Sequence, residues 1–204
     1  MIPFLRNRRA SWLAAIAVPL ALAGCAASVP AEHFYSLSSG AGAAPAAAGK
    51  PLYIELQAIA VPQQVSRNQL VINAGAGRVE LLEQERWAGP LASEIGQALS
   101  LAVSAELGAI DVYRTPTPEN VPVYRVSVNV QRFESAPGQY ALVDSVWSVR
   151  QIGSGKVLTC RSVAEEKVSS GYDALVAGHR RALNRLALDI ARAVRGIAAG
   201  AGAC

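Results

Sequence analysis

Alternating apolar and polar residues predict most of the strands in this chain. In residues 51–61, Leu52, Ile54 and Leu56 share one face, and residues 123–133 alternate in the same way. A period of two is typical of a strand that buries one face. The predicted strands are residues 33–37, 51–61, 70–72, 78–82, 123–133, 140–152 and 157–168. Because short turns join the last three, we expect these three strands to pair antiparallel.

Two segments have an apolar period of three or four residues, which predicts amphipathic helices. In the first, apolar residues recur every four positions from Trp87 to Val103, and Gly108 is placed to end the helix. In the second, residues 172–197, the apolar stripe includes His179 and arginines form the polar surface. Two such helices on one face of a mostly antiparallel sheet make an α+β sandwich, which is the fold that we expect.

The first 24 residues are typical of an export signal. A basic stretch, residues 1–9, precedes an apolar stretch, residues 10–22, that is shorter than the ~20 residues of a membrane-spanning helix. The following sequence, Leu22, Ala23, Gly24 and Cys25, resembles a bacterial lipoprotein box, in which the cysteine thiol receives a diacylglycerol group. An uncleaved membrane anchor and a chance cysteine are the alternatives.

Cleavage before Cys25 defines the expected organisation of the chain. Residues 25–32 are a lipid-bearing tether, residues 33–199 form a single domain, and residues 200–204 are a flexible tail. Residues 38–50 are rich in Ala and Gly and predict a flexible loop inside the domain. Ala26 stands where inner-membrane lipoproteins of enterobacteria carry aspartate, and this resemblance favours the outer membrane.

Charge gives no support for nucleic-acid binding once the signal is removed. The full chain has 19 basic and 15 acidic residues, and three of the basic ones, Arg6, Arg8 and Arg9, lie in the signal. The remainder has 16 basic and 15 acidic residues, a net charge of +1. A protein that neutralises many phosphates needs a concentrated basic surface, so we expect no nucleic-acid partner.

Few residues suggest catalysis or metal binding. His33 and His179 have no Cys, Asp or His at ligand spacing, so we expect structural histidines, although a pairing with a distant carboxylate stays open. Glu165 and Glu166 are neighbours on a strand and should point to opposite faces. The sequence predicts neither an enzyme nor a protein with a cofactor or metal.

The cysteines outside the lipoprotein box have two interpretations. In an oxidising periplasm, Cys160 and Cys204 could form a disulfide, which would stabilise the fold by about 4 kcal/mol in the chain-entropy treatment. The alternative is two free thiols. Trp87 also has two interpretations, because a tryptophan at a helix start either packs the helix onto the sheet or serves as an interface anchor.

Several short motifs in a fixed order resemble one known family. They are the lipoprotein box, residues 34–37, residues 60–62 leading into Arg67, Gln69, Leu70 and Val71, then residues 86–91, 124–133 and Trp147. Together they resemble the PqiC family of ABC-type transport auxiliary lipoproteins over nearly the whole mature chain.

The resemblance implies a non-catalytic lipoprotein of the outer membrane whose domain faces the periplasm. Its implied partner is an MCE-domain protein that conducts lipid between the membranes. The resemblance also implies that the lipoprotein docks this conduit and that it assembles as a homo-oligomeric ring. Arg67, Asn68 and Trp87 fall at recurring positions of the family and are candidate partner contacts.

Two other functions remain open at this point. One is a structural or regulatory envelope lipoprotein, such as an assembly factor or an activator of a cell-wall synthase. The other is a lipid carrier with its own cavity.

Overall fold

The computed structural model describes residues 30–38 and 52–204. Cys25, the export signal and most of the predicted loop 38–50 therefore lie outside the described residues. The residues from Glu32 to Cys204 belong to one compact unit. Its elements are β1 (His33–Tyr35), β2 (Leu52–Leu56), β3 (Gln69–Gly75), β4 (Arg78–Trp87), α1 (Leu91–Leu107), β5 (Ala109–Asp111), β6 (Val123–Ala136), β7 (Tyr140–Gln151), β8 (Val157–Lys167) and α2 (Tyr172–Ala198).

The strands form two mixed sheets. The larger sheet has the order β5-β2-β6-β7-β8, and the smaller has the order β1-β4-β3. Strands β6, β7 and β8 pair antiparallel, which confirms that prediction. Strand β2, however, lies parallel to both β5 and β6, and β1 lies parallel to β4. Most of the pairing is therefore antiparallel, as predicted, but it is divided between two sheets and includes short parallel ladders, because long connections let strands distant in sequence pair in parallel.

Both helices pack against the larger sheet, so the predicted α+β class is confirmed. On β6, Val126, Val128 and Val130 are buried in the main core, as their alternation predicts. The apolar stripe of α2, from Leu183 to Ile197, joins the same core. No helix among the described residues combines the length and apolar character that crossing a membrane requires.

The first helix begins later than its sequence period suggests. Trp87 is the last residue of β4, not a helix residue, and α1 starts after Pro90. The four-residue period includes Trp87 because its ring and the α1 stripe contribute to one core. At the other end, Gly108 adopts a left-handed conformation with φ of 61°, which confirms its predicted role in ending the helix.

Candidate functional site

Three of the motifs that carry the family resemblance meet at one place in the fold. Strand β1 pairs with the end of β4, so that Phe34 lies opposite Arg86 and Tyr35 opposite Trp87. On the other side of β4, Gln69 lies opposite Arg86. We call this place the N-terminal junction and define it as residues 33–37, 67–69 and 85–91. Segments 50 residues apart in sequence are therefore neighbours here.

Backbone hydrogen bonds close the N-terminal junction. The amide of Trp87 donates to the carbonyl of Asn68 at 2.7 Å, and the amide of Ala88 donates to the carbonyl of Tyr35 at 2.7 Å. Asn68 itself is exposed, as is Arg67. The candidate contacts therefore separate into two exposed residues and a buried one, since Trp87 is only 3% exposed. Of the two interpretations of Trp87, the structure supports packing, and its ring is not available to a partner at the surface.

A glutamate connects β1 to β4 through side chains. The hydroxyl of Tyr35 donates to one carboxylate oxygen of Glu85 at 2.6 Å, and Nδ1 of His33 lies 2.9 Å from the other. Burial and, secondarily, the neighbouring Glu85 carboxylate raise the pKa of Tyr35 above its usual range. The phenol thus stays protonated and keeps donating. The sequence provides no local signal for this pairing, because the partners are about 50 positions apart.

Both helices also hold the residues that follow β1. The amide of Leu37 donates to Oε2 of the buried Glu94 in α1 at 2.8 Å. From α2, the guanidinium of Arg180 donates twice to the carbonyl of Ser36, with a shorter distance of 2.6 Å. The side chain of Leu37 is buried in the main core. The chain that follows the tether is thus fixed by strand pairing, by α1 and by α2.

Behind the N-terminal junction, Trp87 packs on a buried aromatic cluster. The rings of Phe133 and His179 stack with centroids 4.0 Å apart, and Trp87 meets both edge-on, at 6.0 and 6.3 Å. Nε2 of His179 lies 2.8 Å from the hydroxyl of Ser135. Burial lowers the pKa of His179 to about 3, so the imidazole is neutral at physiological pH.

The pair Ser135 and His179 has the residue types of a nucleophile and its base, but not the arrangement. Both side chains are buried, at 3% and 0% exposure, so no substrate could reach the hydroxyl. A working base is oriented by a third group. Nδ1 of His179 has no hydrogen-bond partner among the residues that the structure describes. The geometry is therefore that of a packed core, and it agrees with the expected structural role of His179.

A groove of about 590 Å³ lies at the carboxyl ends of β2 and β5, alongside α1. In its lining, the carboxylate of Asp111 accepts from the amides of Leu56 and Tyr113, at 3.3 and 3.0 Å, and from the hydroxyl of Ser100 at 2.6 Å. The carboxylate is thus occupied in holding β2, β5 and α1 together. The groove is open and has mixed lining, with Gln57, Gln97, Arg114 and Thr115 beside apolar residues.

Several arginines of α2 bond to other parts of the protein and are not simply solvated. Arg181 and Arg185 contact the carboxylate of the buried Glu166 at 3.0 and 2.7 Å. Glu165 is exposed, so these neighbours point to opposite faces of β8, as predicted. Arg195 also donates to the backbone of Glu106 in α1. These side chains fasten α2 to the rest of the fold.

The structure brings the two C-terminal cysteines together. Their sulfur atoms are 2.00 Å apart and their α-carbons 5.7 Å apart, as in a disulfide. Residues 200–204, predicted to be a flexible tail, fold back so that the amide of Ala201 donates to the carbonyl of Gly196 at 2.9 Å. The presence of the bond in the mature protein stays a prediction that thiol labelling tests.

Comparison with protein families identifies the family of this chain. A model of the family described as ABC-type transport auxiliary lipoprotein component matches residues 35–191. The chain belongs to this family. The match runs from β1 to α2 and so includes most of the N-terminal junction. This member of the auxiliary lipoprotein family is therefore a transport-associated lipoprotein.

Solved structures show the same fold at low sequence identity. An uncharacterized protein is 18% identical, with a TM-score of 0.64, over 81% of this chain and 99% of its own. The protein XCC0632 from Xanthomonas campestris, of family DUF330, is 15% identical, with a TM-score of 0.54, over 69% of this chain and 82% of its own. No curated protein matches the chain significantly.

Proposed function

We propose that this auxiliary lipoprotein is anchored in the outer membrane, faces the periplasm and docks an MCE-type conduit for lipid without catalysing a reaction. The observation that carries the proposal is the family match over residues 35–191. The lipoprotein box at Cys25 supports the anchor, and its following residue, Ala26, supports the outer membrane. Arg67 and Asn68, both exposed at the N-terminal junction, are the proposed partner contacts.

The fold supports a docking role through its rigid N-terminal junction. An acyl anchor keeps a protein at the membrane, and a bound partner gains a high effective concentration there. A flexible attachment would leave the docking surface free to turn in any direction. Here residues 33–37 are held by β4, α1 and α2, so the anchor can keep the domain in a limited range of orientations.

Affinity purification of the intact lipoprotein tests the partner. The C-terminal residues pack against α2, so a tag is better placed in the exposed β7–β8 turn at Ser154. After mild crosslinking, recovery of an MCE-domain protein supports the proposal. Recovery of a cell-wall synthase without any transport component would refute it and favour a structural or regulatory lipoprotein. The matched control is the same tagged protein with Arg67→Glu and Asn68→Lys, which should recover less of the partner.

Fractionation of cell membranes tests the anchor separately. The native protein should carry acyl chains at Cys25 and fractionate with the outer membrane. Cys25→Ala should remain as a soluble or inner-membrane precursor. If Cys25→Ala fractionates like the native protein, Cys25 is not the anchor.

Separate measurements test the homo-oligomeric ring and the alternative of a lipid carrier. The mass of the detergent-solubilised lipoprotein, measured by light scattering, reports the number of subunits.

The observation that favours a lipid carrier is the groove beside α1. Mass spectrometry of lipid extracted from the soluble domain lacking Cys25 should find none, because the groove is open and partly polar. Recovery of one lipid molecule per protein molecule would favour a carrier.

A further inference from the structure

Strand β1 exposes a phenylalanine close to the anchor. Phe34 is 61% exposed, which is the highest value among the exposed large apolar residues that the structure describes. Single exposed apolar residues are common on protein surfaces, so exposure alone assigns Phe34 no role; its position does, because it follows the proposed lipid-bearing Cys25 by only nine residues. The short length of chain between Cys25 and β1 indicates that the surface facing Phe34 is the membrane.

The tether is short relative to the domain. Only six residues separate Cys25 from Glu32. Seven backbone steps span at most about 25 Å, whatever their conformation. A folded unit of the size of residues 32–204 has a radius of gyration of about 16 Å and a diameter of about 40 Å. The end of β1 must therefore stay nearer to the membrane than most of the domain.

The contacts of β1 prevent the tether from lengthening. Freeing residues 33–37 would break the pairing with β4, the contact between Tyr35 and Glu85, and the bond from Leu37 to Glu94. It would also expose the buried side chain of Leu37. The short tether therefore ends at the N-terminal junction.

The charges around Phe34 do not oppose contact with anionic headgroups. Glu32 lies 3.1 Å from Arg86, directly beside Phe34, and Glu85 pairs with His33 and Tyr35. These acidic groups face partners in the protein. An aromatic ring is suited to the boundary between headgroups and acyl chains.

We propose that the exposed end of β1 lies on the membrane surface and that the ring of Phe34 enters the lipid interface. The inference rests on the proposed acyl anchor at Cys25. It fixes which end of the domain faces the lipid and leaves the far end of β4 directed away from it.

Tryptophan fluorescence in vesicles tests this orientation. The native tryptophans that follow Cys25 are Trp87 and Trp147, which are 3% and 2% exposed, so a new exposed tryptophan is distinguishable. Phe34→Trp is compared with Val79→Trp, which lies on the same sheet roughly 20 Å along β4. Val163→Trp, on the edge of the other sheet, is a second control with similar exposure, 57% in the native residue. The acylated proteins are placed in phosphatidylethanolamine and phosphatidylglycerol vesicles, with or without bromine on the acyl chains.

The inference predicts a blue shift and a loss of fluorescence in brominated vesicles for Phe34→Trp only. Equal quenching of the three variants, or none for Phe34→Trp, would overturn it. A blue shift without quenching by bromine would also overturn it and would indicate contact with a second copy. Flotation and intact mass of the same samples report the anchor. If the protein floats and is acylated but Phe34→Trp is not quenched, only this inference fails; if it is not acylated, the proposed anchor fails first.

Discussion

A glycine in α2 allows the helix to approach the sheet closely. A Cβ added at Gly178 would lie 2.3 Å from a methyl carbon of Val168 and 3.0 Å from Cβ of Ala141. Real side chains do not approach so closely, so one element must move. In α1, by contrast, a Cβ at Gly96 would meet Cγ1 of Ile59 at 3.4 Å, which a small adjustment accommodates.

The same substitution should therefore have opposite effects in the two helices. Alanine is favoured over glycine in a helix by about 1 kcal/mol. At Gly96 this term is nearly unopposed, so Gly96→Ala should raise stability by up to about 1 kcal/mol. At Gly178 overpacking costs about 1–3 kcal/mol and outweighs the propensity term. We expect Gly178→Ala to lower the free energy of unfolding by about 1 kcal/mol, or the midpoint by about 2–4 °C.

Thermal and urea unfolding of the soluble domain lacking the signal and Cys25 measure both effects. Val168→Ala in the Gly178→Ala background removes the shortest contact and should recover part of the loss, whereas Val168→Ala alone should destabilise by creating a cavity. A midpoint for Gly178→Ala that rises as much as that of Gly96→Ala would refute the packing argument. Purely additive effects of Gly178→Ala and Val168→Ala would refute the assignment of the clash to Val168.

Three further predictions concern the disulfide, the buried histidine and an ion pair. Non-reduced mature protein should show no alkylation at Cys160 or Cys204, and Cys204→Ser should lower stability by about 2–4 kcal/mol; labelling at both thiols would refute the bridge. Because burial lowers the pKa of His179 from 6.5 to about 3, the unfolded chain binds a proton in this range and the folded chain does not. The free energy of unfolding should therefore fall as the pH drops from about 6.5 towards 4, by at most ~1.4 kcal/mol per pH unit, and an unchanged slope in His179→Phe urea titrations would contradict this. Asp144 is 1% exposed and accepts two bonds from Arg161, at 2.9 and 2.7 Å. Arg161→Ala should lower the free energy of unfolding, because it leaves the buried Asp144 carboxylate without its partner, and adding Asp144→Ala should recover part of the loss; additive losses in urea unfolding would contradict the pairing.

Local patterns were sufficient for most of the elements of this fold. The alternation along β6 and the stripe of α2 depend only on which face is buried, and both agree with the structure. The turn between β7 and β8 is equally local. Parallel pairing is different, because the register of β2 against β5 and β6 is decided by packing of segments that are far apart in sequence. No period within residues 109–111 is long enough to predict β5.

The candidate site was predictable as a set of motifs and not as a geometry. The residues around Tyr35, Gln69 and Trp87 carry the family resemblance, but nothing local indicates that they are neighbours. The partnership of Glu85 with Tyr35 and that of Glu94 with Leu37 are likewise invisible in sequence, since each joins residues at least 50 positions apart.

The convergence of these motifs predicts a mechanical role for the N-terminal junction. A force on the tether would act first on β1. This strand has only three residues, so its pairing with β4 alone would resist such a force weakly. Glu94 and Arg180 add attachments from α1 and α2, so a load on the tether is shared among the smaller sheet and both helices. Substitution of either residue should increase local opening at the end of β1 and leave the core formed by β6 and α2 largely unaffected. Hydrogen exchange of the amides of Tyr35 and Leu37 should therefore accelerate in Arg180→Ala while the amides of β6 stay protected, and equal acceleration of both regions would contradict this mechanical role.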